Sequence, residues 1–232
     1  MAPKYALQAV ENMLRDITKS NRPFGDVLHL NECILSRLEE EEVVYYSVDS
    51  HIDDESNSSN NPIPVEYLNS ITPDGLPPHK LRLKVGCIIM LLRNMNLVQG
   101  LCNGTRLVVR RLLKNVICAE IISGKFKGEK VLIPRIDLSP SEDLFPFKMV
   151  RRQFPVRLAY AMTINKSQGQ SFDKVGLFLP SSAFGHGQIY VGFSRVRSKD
   201  NLKVYATDSA VFNNPEFPQK LYIKNIVYPE VL

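Results

Sequence analysis

The chain has 232 residues, of which 44% are hydrophobic and 23% are charged, and its formal net charge is +5. This length allows one large domain or two small ones, and the apolar content is ordinary for a globular protein. No apolar run approaches the length of a membrane span, and the N-terminal stretch is amphipathic rather than a signal core. We therefore expect an intracellular protein with no membrane partner. The basic charge is compatible with a polyanionic partner but does not identify one.

The chain contains four cysteines, Cys33, Cys87, Cys102 and Cys118. They form no C-x-x-C pair and no cluster with histidine, which argues against a zinc site and against a disulfide framework. We therefore expect free thiols and no metal ligands in this chain.

The first third of the chain predicts short helices and one strand. Apolar residues at helical spacing predict an amphipathic helix over residues 5–19 and a second helix over 26–38. A strand is expected over 43–48. Residues 49–64 are rich in Asp, Ser, Asn and Pro, which predicts a mobile loop, and 65–70 predicts a short helix or turn.

From residue 81 the chain changes to alternating apolar and polar positions. This pattern predicts strands over 83–92, 105–112, 116–122 and 130–134, separated by turns that contain Gly or Asn. Short strands at this spacing predict a small antiparallel barrel. The following segment, 147–154, is expected to lead back into the parallel sheet that the later strands form.

Basic side chains lie near the turns of this β region. They are Arg93, Arg106, Arg110, Arg111, Lys125 and Lys127. Such residues follow a phosphate backbone in some proteins, and in others they prevent pairing at a strand edge. The residues alone leave both interpretations open.

Three later apolar runs, 156–162, 174–179 and 201–206, predict buried strands of a parallel α/β layer. Two polar segments follow the first two runs: TINKSQG at 163–169 and HGQIYVGFSRVR at 186–197. Because ligands in such sheets bind at the carboxyl ends of the strands, both segments are candidate site residues.

The chemistry of these two segments suggests an anion, although each also fits a simpler interpretation. The hydroxyls, amides and single ammonium of TINKSQG suit an anionic ligand, and Gly169 allows close approach of the backbone. The alternative is a polar surface turn. Arg195 in the second segment is either a solvated residue near a helix C-terminus or an arginine finger that stabilises a transferring phosphoryl group.

Three long stretches carry a family resemblance. They read RLAYAMTINKSQGQSFDKVGL, HGQIYVGFSRVRSKDNLKV, and LPPHKLRLKVGCIIMLLRNMN followed by GLCNGTRLVV. The first two resemble motifs V and VI of Pif-type, superfamily-one, 5′-to-3′ DNA helicases, including the Helitron-like group, and the third is similar to the same family. The resemblance covers roughly residues 27–206 and is too long to be a chance match.

The resemblance implies an α/β fold: a partial RecA-like parallel sheet, the second lobe of a P-loop NTPase, with an inserted small SH3-like β-barrel called 2B. It implies a remnant helix of the first RecA-like domain at 1–25 and the start of the second, or 2A, at 26–64. The 2B insertion is expected at 65–155, motifs V and VI at 156–207, and a tail at 208–232.

The resemblance also assigns roles. The residues implied to contact DNA are Thr163, Asn165, Lys166, Ser167, Arg93, Asn94, Asn103, Gly104 and Thr105. Those implied to face the nucleotide are Gly169, Gln188 and Tyr190. Arg195, as arginine finger, and Gln168, which couples DNA contact to the nucleotide, are the implied catalytic residues. The sequence departs from the family at Asn165, where many relatives have histidine, and at Phe193, where relatives more often have a smaller residue.

The chain contains no G-x-x-x-x-G-K-[ST] phosphate loop. Asp53-Asp54-Glu55 is followed by Ser, Asn and Pro, which predicts a solvated loop and not a metal-binding acidic box. The resemblance implies Mg-ATP as cofactor, but these absences argue against its binding by this chain alone. The implied partner is single-stranded DNA or a DNA junction in the nucleus, and it stays open whether another chain supplies the first lobe.

Three hypotheses follow. The first is part of a Pif-type ATP-dependent helicase that is inactive as an ATPase by itself. The second is a stand-alone module that binds single-stranded nucleic acid. The third is a non-functional relic of a mobile element, or an incomplete gene model, and is motivated by the abrupt join between Gly25 and Asp26.

Overall fold

The computed structural model describes residues 27–52, 63–73, 75–140, 145, 147–179, 183, 185–206, 211–213, 221–223 and 226. The predicted helix over 5–19, the acidic Asp53–Glu55 segment and most of the predicted tail lie outside the described residues. The chain divides into two compact units. We call Asn31–Tyr160 the β unit, and Met1–Leu30 together with Ala161–Leu232 the α/β unit.

The described chain begins with one helix, α1 (Val27–Ser36), whose Ile34 and Leu35 are buried. The described part of the β unit then contains ten strands and one short helix, in this order: β1 (Glu42–Tyr46), β2 (Val48–Ile52), α2 (Val65–Ser70), β3 (Lys80–Lys84), β4 (Ile88–Leu91), β5 (Arg106–Leu112), β6 (Val116–Ile121), β7 (Lys130–Pro134), β8 (Ile136–Leu138), β9 (Lys148–Gln153) and β10 (Val156–Leu158).

The strands of the β unit pair antiparallel in three sheets. Five of them form a sheet of order β10-β4-β5-β6-β7, β2-β9-β8 form a second, and β1-β3 form a third. Alternate residues of each strand face one side of a sheet, so Ile117, Ala119 and Ile121 of β6 are buried while their neighbours are partly exposed. The predicted antiparallel pairing after residue 81 is confirmed. The single strand expected over 83–92 is wrong, because β3 ends at Lys84 and β4 begins at Ile88, with Gly86 at φ +81 between them.

The α/β unit is built on a parallel pair of strands. β11 (Val175–Leu179) pairs with β12 (Leu202–Ala206) in register, Val175 opposite Leu202. In the chain, helix α3 (Gln188–Phe193) lies between them, and β13 (Val211–Asn213) pairs antiparallel with β14 (Leu221–Ile223). Leu177, Leu179, Ala183 and Ile189 form the core of this unit. No helix in the described part of the chain has both the length and the hydropathy of a membrane span.

The structure corrects the prediction for residues 156–162. That run does not join the parallel pair: only Val156–Leu158 is a strand, and it pairs antiparallel with β4. The adjoining Phe154 and Val156 are fully buried in the core of the β unit. An apolar run fits either sheet by composition, and its burial against β4 decides the pairing. The prediction that 147–154 re-enters the parallel sheet is wrong for the same reason, since β9 pairs with β2 and β8.

A second correction concerns the polar stretch that begins at Asp49. The predicted loop over 49–64 is wrong for its first four residues, which continue β2 to Ile52. Residues 53–62 lie outside the described residues. The composition of this stretch suggested a solvated loop, but Asp49 is only 6% exposed because a buried arginine pairs with it.

That arginine is Arg151 on β9, whose side chain is fully buried. Its Nε donates to both oxygens of Asp49 at 2.9 and 3.1 Å, and its Nη2 donates to Asp49 Oδ2 at 2.6 Å. The remaining donors reach backbone carbonyls of α2 and of the segments beside it: Leu68, Ile71 and Pro77. One guanidinium therefore joins β2, β9, α2 and the loop before β3.

We predict that Arg151→Ala lowers the free energy of unfolding by about 3–5 kcal/mol, because it leaves Asp49 as a buried charge without its partner. Urea denaturation monitored by circular dichroism measures the change. The next residue supplies a matched control, since Arg152 pairs with Asp137 at 3.1 Å and both side chains are 59% exposed. Arg152→Ala should cost less than about 1 kcal/mol. Equal effects of the two substitutions would contradict the role given to Arg151.

Candidate nucleic-acid interface

The TINKSQG segment forms a tight turn in the α/β unit. Asn165–Ser167 is a single 3-10 turn, closed by Ser167 N donating to Ile164 O at 3.0 Å. The Ser167 hydroxyl is buried and donates to the same carbonyl at 2.6 Å. Thr163 is half-buried, whereas Asn165 and Lys166 are exposed. The turn therefore presents an amide and an ammonium to solvent, and it uses the serine hydroxyl internally.

The turn ends in a reversal that requires glycine. Gly169 has φ +76, a conformation that side chains with a Cβ rarely adopt. Open space surrounds the position where its Cβ would lie, so the backbone conformation alone selects glycine. Gln168 and Gly169 are both exposed, and Gln170 N donates to Ser167 O at 3.0 Å. The main chain is thus held on both sides of the exposed Gln168.

The second predicted segment supplies helix α3. Gln188 at its start is buried, and its Oε1 accepts from Gly185 N at 3.4 Å. Gly192 lets the helix approach β11, because a Cβ there would lie 3.2 Å from Leu177 Cδ1. Tyr190 is 70% exposed on the other side. The resemblance implies that two residues of this helix face a nucleotide. Tyr190 lies at the surface, and Gln188 accepts a hydrogen bond from the turn that precedes the helix.

Arg195 joins the two segments. Its Nη1 donates to Ser167 O at 3.3 Å and to Gln170 O at 3.1 Å. Its Nε donates to Val191 O at 2.8 Å, and its Nη2 to Ser194 Oγ at 2.8 Å. Phe172 N in turn donates to Arg195 O at 2.9 Å. The half-buried guanidinium holds the turn 165–170 against the end of α3.

An arginine finger must direct its donors to a phosphoryl group. In this structure the donors of Arg195 are directed to carbonyl and hydroxyl oxygens of its own unit. The geometry therefore gives Arg195 a structural contact between motifs V and VI, and its role as a finger stays a prediction.

The other predicted DNA contacts lie in the loop between β4 and β5 of the β unit. Arg93 Nη1 donates to Gly75 O at 3.2 Å, and its Nη2 to Ser139 O at 2.9 Å. Asn94 Oδ1 accepts from Asn103 N at 2.7 Å, and Gly104 N donates to Leu91 O at 2.9 Å. The side chains of Asn94 and Asn103 are exposed, so the loop holds two amides at the surface.

Thr105 completes the same loop. Its hydroxyl donates to Gly100 O at 2.8 Å and accepts from Cys102 N at 3.1 Å. Sequence reasoning missed what this loop displays at its tip, where Leu97 and Val98 are exposed. In the sequence, the only signal for this exposed tip was an aliphatic pair that lies between Asn96 and Gly100. Asn and Gly are both typical of turns.

The residues present do not fit Mg-ATP. The sequence has no phosphate loop, and the donors of Arg195 are occupied within its own unit. Among the described residues, no group of three or more His, Cys, Asp or Glu side chains is placed to hold a metal ion. Cys87 offers no reactive thiolate, because burial raises its pKa to about 12.

Comparison with known proteins identifies the family. The family model described as "DNA helicase Pif1, 2B domain" matches residues 66–112. The ATP-dependent DNA helicase PIF1 of Xenopus laevis is 31% identical over 206 residues, which cover 85% of this chain and 28% of the relative. The chain belongs to the Pif1-type helicase family. It corresponds to the C-terminal portion of these proteins, as the resemblance of motifs V and VI indicated.

Solved Pif1 structures share the fold. The Pif1 helicase of Candida albicans has a TM-score of 0.59 at 22% identity, covering 89% of this chain and 54% of that one. A Bacteroides Pif1 bound to ssDNA has a TM-score of 0.56 at 24% identity, covering 95% and 55%. The predicted fold class, RecA-like with a 2B insertion, is confirmed. The chain covers 28% of the length of its Xenopus relative.

We predict that Arg195→Ala loosens the turn 165–170 of this Pif1-type chain without unfolding it. Loss of charge-assisted hydrogen bonds should raise amide hydrogen exchange at Gln170 about tenfold. Mass spectrometry of hydrogen exchange measures the change. Arg197→Ala is the matched control, since Arg197 is exposed two residues further on. If the two variants exchange alike at Gln170, Arg195 does not hold the turn.

Proposed function

We propose that this chain is the part of a Pif1-type helicase that grips the phosphate backbone of single-stranded DNA. The main support is the exposure of Asn165 and Lys166. They lie on a turn that is stabilised by hydrogen bonds from the side chains of Ser167 and Arg195. The DNA-bound Bacteroides relative supports it by its shared fold.

The chemistry of this turn suits a phosphate and does not read a base. An exposed lysine is a compact positive charge that replaces a condensed counterion on the backbone. The amide of Asn165 adds a hydrogen-bond donor, and Asn165 is not titratable. Binding should therefore tolerate any base sequence and weaken steeply with salt.

The loop between β4 and β5 is proposed as a second contact with DNA. Asn94 and Asn103 present amides at the surface, while Arg93 and Thr105 give the loop its shape through contacts with main-chain carbonyls. The two amides and the main chain at Gly104 are proposed to contact phosphates. Arg93 then acts by positioning the loop.

DNA unwinding driven by ATP is proposed for the complete protein and not for this chain by itself. Phosphoryl transfer needs a phosphate loop, its lysine and a carboxylate for Mg²⁺, and the sequence has no phosphate loop. Gln168, Gly169, Gln188, Tyr190 and Arg195 keep their proposed place beside a nucleotide only if another lobe, in the same or another polypeptide, supplies that loop. Nuclear residence is proposed on the resemblance alone.

We predict that Lys166→Ala weakens binding to oligo(dT) about fivefold to tenfold at low salt and lowers the slope of log K against log salt by about 0.7. Fluorescence anisotropy across a salt series measures both quantities. Lys174→Ala is the control, since Lys174 is also exposed but lies before β11, outside the turn.

The unmodified chain should hydrolyse no ATP with or without DNA.

Two results would contradict these proposals. Undetectable binding of the unmodified chain at low salt would remove the DNA-binding function and favour a non-functional relic. DNA-stimulated ATP hydrolysis by the pure chain would show that a nucleotide site exists where the sequence lacks its phosphate loop.

A further inference from the structure

A cluster of aromatic side chains lies at the surface of the β unit, beside α2. The ring of Tyr67 on α2 meets that of Phe147 edge-on, with centroids 6.4 Å apart, and Phe147 stacks on Phe145 at 5.4 Å. Tyr67 is 49% exposed and Val65, on the same helix, is 51% exposed, while Phe145 and Phe147 are half-buried. Because Leu68 is fully buried, α2 packs through Leu68 and leaves Val65 and Tyr67 outside. We call Val65, Tyr67, Phe145 and Phe147 the aromatic patch.

The elements that carry the aromatic patch are joined by the buried Arg151. Its guanidinium donates to Leu68 O at 2.8 Å and to Ile71 O at 3.1 Å, at the end of α2. Arg151 itself lies on β9, which begins directly after Phe147. The rings of Tyr67 and Phe147 are therefore positioned before a partner binds, and this lowers the ordering cost of binding.

The chain around the aromatic patch is acidic. Residues 53–74, which include α2, contain five Asp or Glu and no Lys or Arg, and residues 139–147 contain two Asp or Glu and no Lys or Arg. Arg93 brings the ends of the two stretches together, since its guanidinium donates to Gly75 O at 3.2 Å and to Ser139 O at 2.9 Å. The whole chain carries a net charge of +5, so these two stretches have the opposite sign to the protein as a whole.

Glu66 places one of these carboxylates within the surface itself. It lies between Val65 and Tyr67 on α2 and is exposed. Lys148, which follows Phe147 in the sequence, is a single basic residue beside the two acidic stretches. The face of an aromatic ring carries partial negative charge and attracts cations, and a carboxylate beside the ring adds to that attraction. The aromatic patch is therefore suited to a cationic and partly apolar ligand.

We infer that the aromatic patch binds a basic segment of a protein partner, with Arg or Lys side chains over the rings of Tyr67 and Phe147 and aliphatic side chains over Val65. Nucleic acid does not fit this surface, because the carboxylates repel its phosphates. Exposed aromatic side chains are typical anchors of protein interfaces. The aromatic patch differs in sequence position and in charge from the turn 165–170, so the inference goes beyond the proposed binding of DNA.

The test uses full chains and a pair of labelled synthetic peptides. One peptide consists of arginine, leucine and serine, and in the other glutamate replaces every arginine. Fluorescence anisotropy measures their binding. We expect the unmodified chain to bind the arginine peptide in the micromolar range and the glutamate peptide at least about tenfold more weakly, because like charges across an interface oppose binding.

Tyr67→Ser should weaken binding of the arginine peptide about fivefold, and Tyr67→Phe, which keeps the ring, should bind it as the unmodified chain does. Tyr46→Ser is the matched control, since Tyr46 on β1 is 57% exposed and lies outside the patch. Glu66→Lys should also weaken binding about fivefold, whereas Glu129→Lys, at an exposed position between β6 and β7, should not. Circular dichroism checks that each variant folds.

Failure of the unmodified chain to bind the arginine peptide overturns the inference, and so does equal binding of the glutamate peptide. Equal losses in Tyr67→Ser and Tyr46→Ser would also overturn it, because the peptide would then be attracted to the protein as a whole. The oligo(dT) affinity of the unmodified chain reports on the proposed function separately.

The same variants cover the remaining partners. If Tyr67→Ser weakens binding of oligo(dT) and leaves that of the arginine peptide unchanged, the rings stack on bases and the inference is overturned in favour of nucleic acid. Sedimentation velocity measures self-association of the chain. Self-association that Tyr67→Ser abolishes, with peptide binding unchanged, would assign the aromatic patch to a second copy of the chain and overturn the inference.

Discussion

The β unit depends on a guanidinium that is fully withdrawn from water. A buried charge is tolerated only when its donors are satisfied, and those of Arg151 reach Asp49 and three carbonyls of α2 and the loop that follows it. Asp49 is bound further by the Ser47 hydroxyl at 2.7 Å. Asp49 lies on β2 and Arg151 on β9, so separating these two strands would break the buried pair. The ion pair therefore stabilises the pairing of β2 with β9, and β9 leads directly into the core at Phe154 and Val156.

The α/β unit uses an arginine in a related way. Arg195 donates to the carbonyls of Ser167 and Gln170 in the turn 165–170. It also donates to the carbonyl of Val191 on helix α3. The segment proposed to contact DNA and the segment that resembles motif VI are thereby connected through one side chain. A phosphoryl group near Arg195 would compete with these carbonyls for the same donors. A phosphate that bound Arg195 would therefore also change the shape of the turn.

Alternation of apolar and polar residues predicted the strands of the β region well, because half-buried strands repeat every two residues. The expected strand at 130–134 matches β7, and that at 116–122 matches β6 within one residue. The failures have a common cause. The stretch at Asp49 and the run at 156–162 were assigned from composition, but the first is decided by a charge partner 102 residues away and the second by a strand from another part of the chain. Composition contains no information about either partner.

By itself, the sequence determined the family, the fold class and the residue types of the candidate site, since motifs V and VI and the 2B region are long local patterns. It also determined that the chain lacks a phosphate loop. Only the tertiary structure decided what the polar groups do. It turned Arg93, Thr105, Ser167 and Arg195 toward main-chain carbonyls and left Asn165, Lys166 and the apolar tip of the β4–β5 loop exposed. The physical reason is that a hydrogen bond needs a partner at about 3 Å, and which partner lies there depends on how distant segments pack.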